Sequence, residues 1–122
     1  MDDVLSILLS NEPLKLPEGD YKVNRLSEGM GGDVIFRIRA LREDRITEIF
    51  RLHDEDADVF LVLAGVISPD LKNQSLLDKY NASTPAELVK AMLIPGEIRA
   101  LVRQITSLCG IGLDTIEEVK KN

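Results

Sequence analysis

Pro95-Gly96 stands between two runs with apolar stripes, and that corner constrains the fold more than any other feature of the chain. On its N-terminal side Thr84 fits an N-cap, Pro85 the first helical position, and Glu87 the third residue after the cap. That is a capping box, with proline where its missing N–H costs least. Leu88, Ala91 and Met92 follow at i, i+3 and i+4 and predict one apolar face. A helix cannot run through Pro95 without losing a hydrogen bond, so the chain bends there and restarts. Beyond the corner Ile98, Leu101, Val102, Ile105 and Leu108 form a second stripe, with Arg99, Arg103 and Gln104 off it. Gly110 is the expected stop, because glycine reaches the left-handed conformation without a clash. Residues 83–110 therefore predict two helices at the centre of the fold.

The flanking sequence adds smaller elements. Asp2 or Asp3 caps a short helix over 4–10, with Leu5, Leu8 and Leu9 on one face, and Pro13 and Pro17 mark a loop after it. Residues 21–26 alternate, and so do residues 34–41, where Phe36, Ile38 and Ala40 face one way and Arg37 and Arg39 the other. A glycine-rich stretch, 27–32, lies between them and predicts a β-hairpin. A lone hairpin is marginal and must pack on a helix or find a third strand. Residues 42–53 read as a helix with Ile46, Ile49, Phe50 and His53 on its apolar face. Asp56 is positioned to cap the next element. That element, VFLVLAGVI over 59–67, suits a buried strand by its β-branched content and a helix by its place after an acidic cap. A short helix over 73–80 turns Leu76, Leu77 and Tyr80 inward. Asp114 caps a last turn, packed through Ile116 and Val119. The expected fold is mainly α with a small N-terminal β-hairpin, an α+β layout. It is a single domain over 1–122, with helix and hairpin in 1–41 and the helical part in 42–122.

Composition narrows the function classes. The chain has 122 residues, 44% hydrophobic and 30% charged, a balance that argues for a packed core and against a disordered chain. With no Trp and only two Tyr and three Phe, that core must be Leu, Ile and Val. The net charge of −6 disfavours nucleic-acid binding, which draws most of its affinity from a basic face. The single Cys109 excludes an internal disulfide and fits a reducing compartment. No run approaches the roughly 20 apolar residues that span a bilayer.

Motifs for chemistry fail on inspection. Asp54, Asp56 and Asp58 occupy positions one, three and five of a calcium loop, but Val59 replaces its turn glycine and Gly65 its last carboxylate. They read instead as acids gathered at a helix start. Residues 28–33 lack the lysine and hydroxyl of a phosphate loop. His53 and Cys109 are too few for a structural zinc site, and His53, at the edge of an apolar helical face, reads as a packed imidazole. No catalytic residue, cofactor or metal is expected. Arg37, Arg39, Arg42, Arg45 and Arg51 form the one basic concentration, either a solvated face balanced by Glu43, Asp44 and Glu48 or a strip for an acidic partner.

The run TPAELVKAMLIPGEIRAL, with Gly110 beyond it and ISPDLKNQSLLDKYNA before it, resembles the tail assembly chaperones of phages and prophages of Gram-positive hosts. Its densest signature is Thr84-Pro85, Glu87-Leu88, Leu93, Pro95-Gly96-Glu97 and Gly110, and it is strongest over 59–122. The resemblance favours a helix over 59–67. It implies a non-enzymatic protein of the bacterial host cytoplasm that binds the tape-measure protein during tail assembly, helps recruit tail-tube subunits, and is absent from the mature virion. Self-association is left open. The Lys121-Asn122 ending is compatible with an adenine-rich ribosomal slip site of the kind some relatives use, an expectation that a gene without a slippery heptamer near its stop would remove. Candidate partner-binding residues are Ile46 and Phe50 on their helical face and Arg37 and Arg39 on their strand. Leu88, Met92, Leu101 and Ile105 are assigned to the core. Two rivals stand beside this reading: a phage regulatory module binding nucleic acid through the arginine strip, and a small enzyme built around His53.

Overall fold

A computed structural model describes residues 3–120. Asp2 and the Lys121-Asn122 ending, both used above, lie outside the described residues. Among those residues seven helices and a three-stranded antiparallel sheet follow the order α1 (Asp3–Ser10), β1 (Glu18–Lys22), α2 (Asn24–Met30), β2 (Ile35–Arg39), α3 (Glu43–Leu52), α4 (Ala57–Gly65), β3 (Val66–Ser68), α5 (Gln74–Lys79), α6 (Pro85–Met92) and α7 (Pro95–Leu108). The α+β layout expected from the sequence is the one observed.

The central corner forms as its residues dictate. The Thr84 hydroxyl accepts the Glu87 N–H at 3.1 Å, and the Glu87 carboxylate accepts the Ser83 N–H at 2.7 Å, one residue before the cap itself. Leu88 and Met92 are buried as predicted, but Ala91 is exposed and Val89 takes its place in the core. Ile94, at the N-cap of α7, has no side-chain acceptor, so Glu97 alone closes that end by accepting the Ile94 N–H at 2.9 Å. Leu101 and Ile105 are buried, and Gly110 ends the run at φ 82°.

The hairpin is present with altered boundaries. β1 pairs antiparallel with β2 from Glu18 opposite Arg39 to Lys22 opposite Ile35. The first strand thus begins three residues earlier than predicted, and 24–30, expected as strand end and loop, form helix α2. Two facts explain this. Gly31 at φ 71° stops a helix rather than tipping a hairpin, and the buried Ser27 hydroxyl donates to Val23 O and accepts the Val34 N–H, each at 2.8 Å. β2 supplies Phe36 and Ile38, both wholly buried, to the core.

The ambiguous run 59–67 is divided between both readings. α4 ends at Gly65, and Val66–Ser68 turns into β3, which pairs with β2 through a register shift at Arg37 and Ile38. β2 thereby gains the third strand that a lone hairpin lacks. α4 packs against α3, α6 and α7, so the predicted central pair converges on it. Gly65 lets α7 approach closely, since a Cβ there would stand 2.5 Å from Ile105 Cδ1. Asp56 stands at the N-cap of α4 but makes no side-chain cap bond, and pairs with Lys90 at 3.2 Å instead. The last turn expected after Asp114 does not form. Residues 114–120 are irregular, and Ile116 and Val119 are 91% and 84% exposed. No helix among the described residues is long and apolar enough to cross a membrane.

Candidate functional site

Helix α3 follows β2 after a three-residue link, and its i, i+3, i+4 spacing decides what each side chain meets. Ile49 points into a small cluster with Ala57 and Leu61 and is 1% exposed. Ile46 and Phe50 sit one step round the helix. Ile46 is half-buried and Phe50 is 49% exposed. On α7 the same step separates buried Leu101 and Ile105 from half-buried Val102 and Thr106. The two shoulders enclose a mainly apolar groove of about 180 Å³, also lined by Leu41, Leu61 and Cys109, with Asp58 the one charged side chain among the described residues in it. Cys109 is held there because its thiol accepts the Leu41 N–H at 3.2 Å and donates to Leu41 O at 3.7 Å. A solvent-facing phenylalanine thus stands beside an apolar trough.

Leu41 also borders a second, open cleft of about 590 Å³ whose lining includes Lys15, Arg39, Arg42 and Arg45. Arg45 is engaged by Glu48 through a close ion pair. Lys15, Arg39 and Arg42 have no ion pair among the described residues. Arg39 and Arg45 also line the adjoining cleft beside Lys72. Cationic and apolar surfaces thus meet at Leu41.

The four residues predicted to bind a partner divide by this geometry. Ile46 and Phe50 share the groove. Arg39 opens onto the cationic clefts. Arg37, on the same strand face, is committed across the hairpin to Glu18 at 2.8 Å and Asp20 at 3.1 Å. Those bonds, with Glu18 first, raise its already high pKa further. The acids expected to balance the arginines were Glu43, Asp44 and Glu48; among the described residues only Glu48 does so by ion pairing, and β1 supplies Glu18 and Asp20. The α7 side of the groove was expected only as the apolar residues left over on the central helices; Val102 stood on the predicted stripe, and Thr106 and Cys109 join it at the groove. His53 stacks on Phe60 with centroids 3.5 Å apart and rings 8° from parallel, a packed imidazole.

Another polar contact fixes the corner rather than the groove. Arg25 of α2 binds the Glu97 carboxylate through two hydrogen bonds of 2.9 Å and donates a third to Met92 O. The Glu97 carboxyl is held below its ordinary pKa, first by Arg25, with the Ile94 N–H adding to the effect and burial opposing it.

The sequence model for a family described as phage XkdN-like tail assembly chaperone protein matches residues 5–120. A crystal structure of the protein yqbn, a structural genomics target, superposes with a TM-score of 0.60 at 21% identity, covering 80% of this chain and 89% of that one. At that identity the likeness speaks for the fold alone. No curated protein matches the chain.

Proposed function

The chain belongs to the XkdN-like tail assembly chaperones of phages, and from that premise we propose that it is a non-enzymatic chaperone whose client is the tape-measure protein. A tape-measure protein is long and largely helical, and before assembly its apolar stripes are exposed to water. A helix-in-groove contact covers such a stripe with i, i+3, i+4 anchors. The observation that carries this reading is the α3–α7 groove, where Ile46 and the half-exposed Phe50 border an open apolar trough. Arg39 supplies a charged flank for acidic residues on the client, whereas Arg37 is committed to its hairpin acids. The same surface is available to recruit tail-tube subunits, and the work is done in the host cytoplasm without entry into the virion.

Co-expression with a tape-measure protein of the same phage or prophage tests this. The client should turn from insoluble to soluble with the native chain. Ile46→Asp and Phe50→Asp should remove that rescue while leaving the melting temperature within a few degrees. Rescue that survives both substitutions would move the contact elsewhere. The convergence of Arg39, Arg42 and Arg45 supports a second reading, a nucleic-acid contact. Binding to RNA or DNA that weakens steeply with salt would favour it, and no binding at low salt would remove it.

A further inference from the structure

Helix α1 and the α3–α7 groove are two halves of an interface that a single chain leaves apart. α1 buries none of its side chains, and Ile7, Leu8 and Leu9 are 62%, 69% and 77% exposed. A helix this short draws its stability from packing an apolar face. We propose that α1 of one copy lies in the groove of a second copy, and the reverse, about a two-fold axis. Leu5, Leu8 and Leu9 stand at i, i+3 and i+4, the spacing with which a helix seats its anchors in a groove.

Charge and reach both favour this occupant. Asp3 and Glu12 bracket α1, exposed and without an ion pair among the described residues. On the α7 rim of the groove, helical spacing sets Arg99 and Arg103 beside Val102 and Thr106. Both arginines are exposed and likewise without an ion pair among the described residues, and they outnumber the one carboxylate of the groove lining, Asp58. The tether after α1 leaves the body beside the groove, because Leu41 borders both the groove and the cleft lined by Lys15 and Leu16. A two-fold pair therefore exchanges its α1 helices over a short reach. Pro13 and Pro17 stiffen the tether against folding back, and within one chain α1 stays exposed along its length while its own groove stands open. Reciprocal contact of identical patches closes the assembly at two copies.

The proposal goes beyond the client reading and does not rest on it: α1 of the second copy covers the groove until a client displaces it, and a monomeric chaperone would leave the client reading intact. Sedimentation of the full chain over a dilution series should follow a monomer–dimer equilibrium. Leu8→Asp and Leu9→Asp, at side chains that are 69% and 77% exposed, should weaken the dimer about tenfold or more with the melting temperature unchanged. A second arm mixes Leu8→Cys/Cys109→Ala with Thr106→Cys/Cys109→Ala under mild oxidation, and a cross-linked dimer of the two variants is expected. A chain that sediments as a monomer at every concentration overturns the proposal. So does a dimer indifferent to both aspartates, or a Leu8→Cys/Thr106→Cys/Cys109→Ala chain that cross-links only within itself.

Discussion

A Cβ on Gly65 would stand 2.5 Å from Cδ1 and 2.9 Å from Cγ1 of Ile105, a side chain only 2% exposed and walled in by the core. Gly65→Ala should therefore destabilise the protein by about 1–3 kcal/mol through overpacking, despite alanine's better helix propensity. Ile105→Val removes the nearest atom. It should cost about 0.5–1.5 kcal/mol alone and less, or nothing, beside Gly65→Ala. Strict additivity in urea unfolding would mean that α4 and α7 shift apart instead. Glu97 makes a pH prediction. Its carboxyl binds protons less readily folded than unfolded, so its contribution is full above the ordinary glutamate range and fades as pH falls through the lower folded value. Glu97→Gln should lower the melting temperature at neutral pH and flatten its decline in acid. A variant whose melting curve falls as steeply as the parent's would assign the acid limb to other carboxylates.

The elements that were legible in the sequence are those whose cause is local. Thr84, Pro85 and Glu87 state the start of α6 within four residues, and the two hydrogen bonds they specify are both present, one of them displaced to Ser83. Thr84→Ala should cost about 1 kcal/mol. A loss of only a few tenths in the urea midpoint would mean that Pro85 and Glu87 hold the helix start without the hydroxyl. What was illegible depended on distant partners. Ser27 sits in a glycine-rich run that reads as loop, and its role appears only when the Val34 N–H arrives from the next strand. Val66–Ser68 becomes strand because β2 offers an open edge, a fact that no window of nine apolar residues contains. The turn expected at Asp114 had a cap and two apolar residues but no surface to pack against, and capping alone does not hold so short a helix. In the groove, the α3 wall was legible from its period. The α7 wall was legible only as an apolar stripe, because Val102 and Thr106 differ from core positions only by a small rotation about the helix.

Across the whole molecule, charge is arranged rather than merely summed. The chain carries −6 overall, yet Lys15, Arg39, Arg42 and Lys72 gather around two adjoining clefts with no ion pair among the described residues. Two arginines two residues apart on one strand consequently have different work. Arg37 ties β1 to β2 through Glu18 and Asp20, so its loss falls on the hairpin. Arg39 has no such tie, so its loss falls on whatever approaches from outside. Arg37→Gln should lower the melting temperature and leave client rescue near its normal level where the hairpin still forms. Arg39→Glu should do the opposite, with stability kept and rescue reduced. Salt separates the two effects further. Screening at high ionic strength acts on exposed charges that attract across a gap and much less on apolar contact. Binding to the client should therefore weaken with salt in the native chain and lose most of that dependence in Arg39→Glu, while the contribution of Phe50 persists. If the salt slope is the same in both, the cationic clefts serve solubility rather than recognition, and the groove alone must carry the specificity of the chaperone.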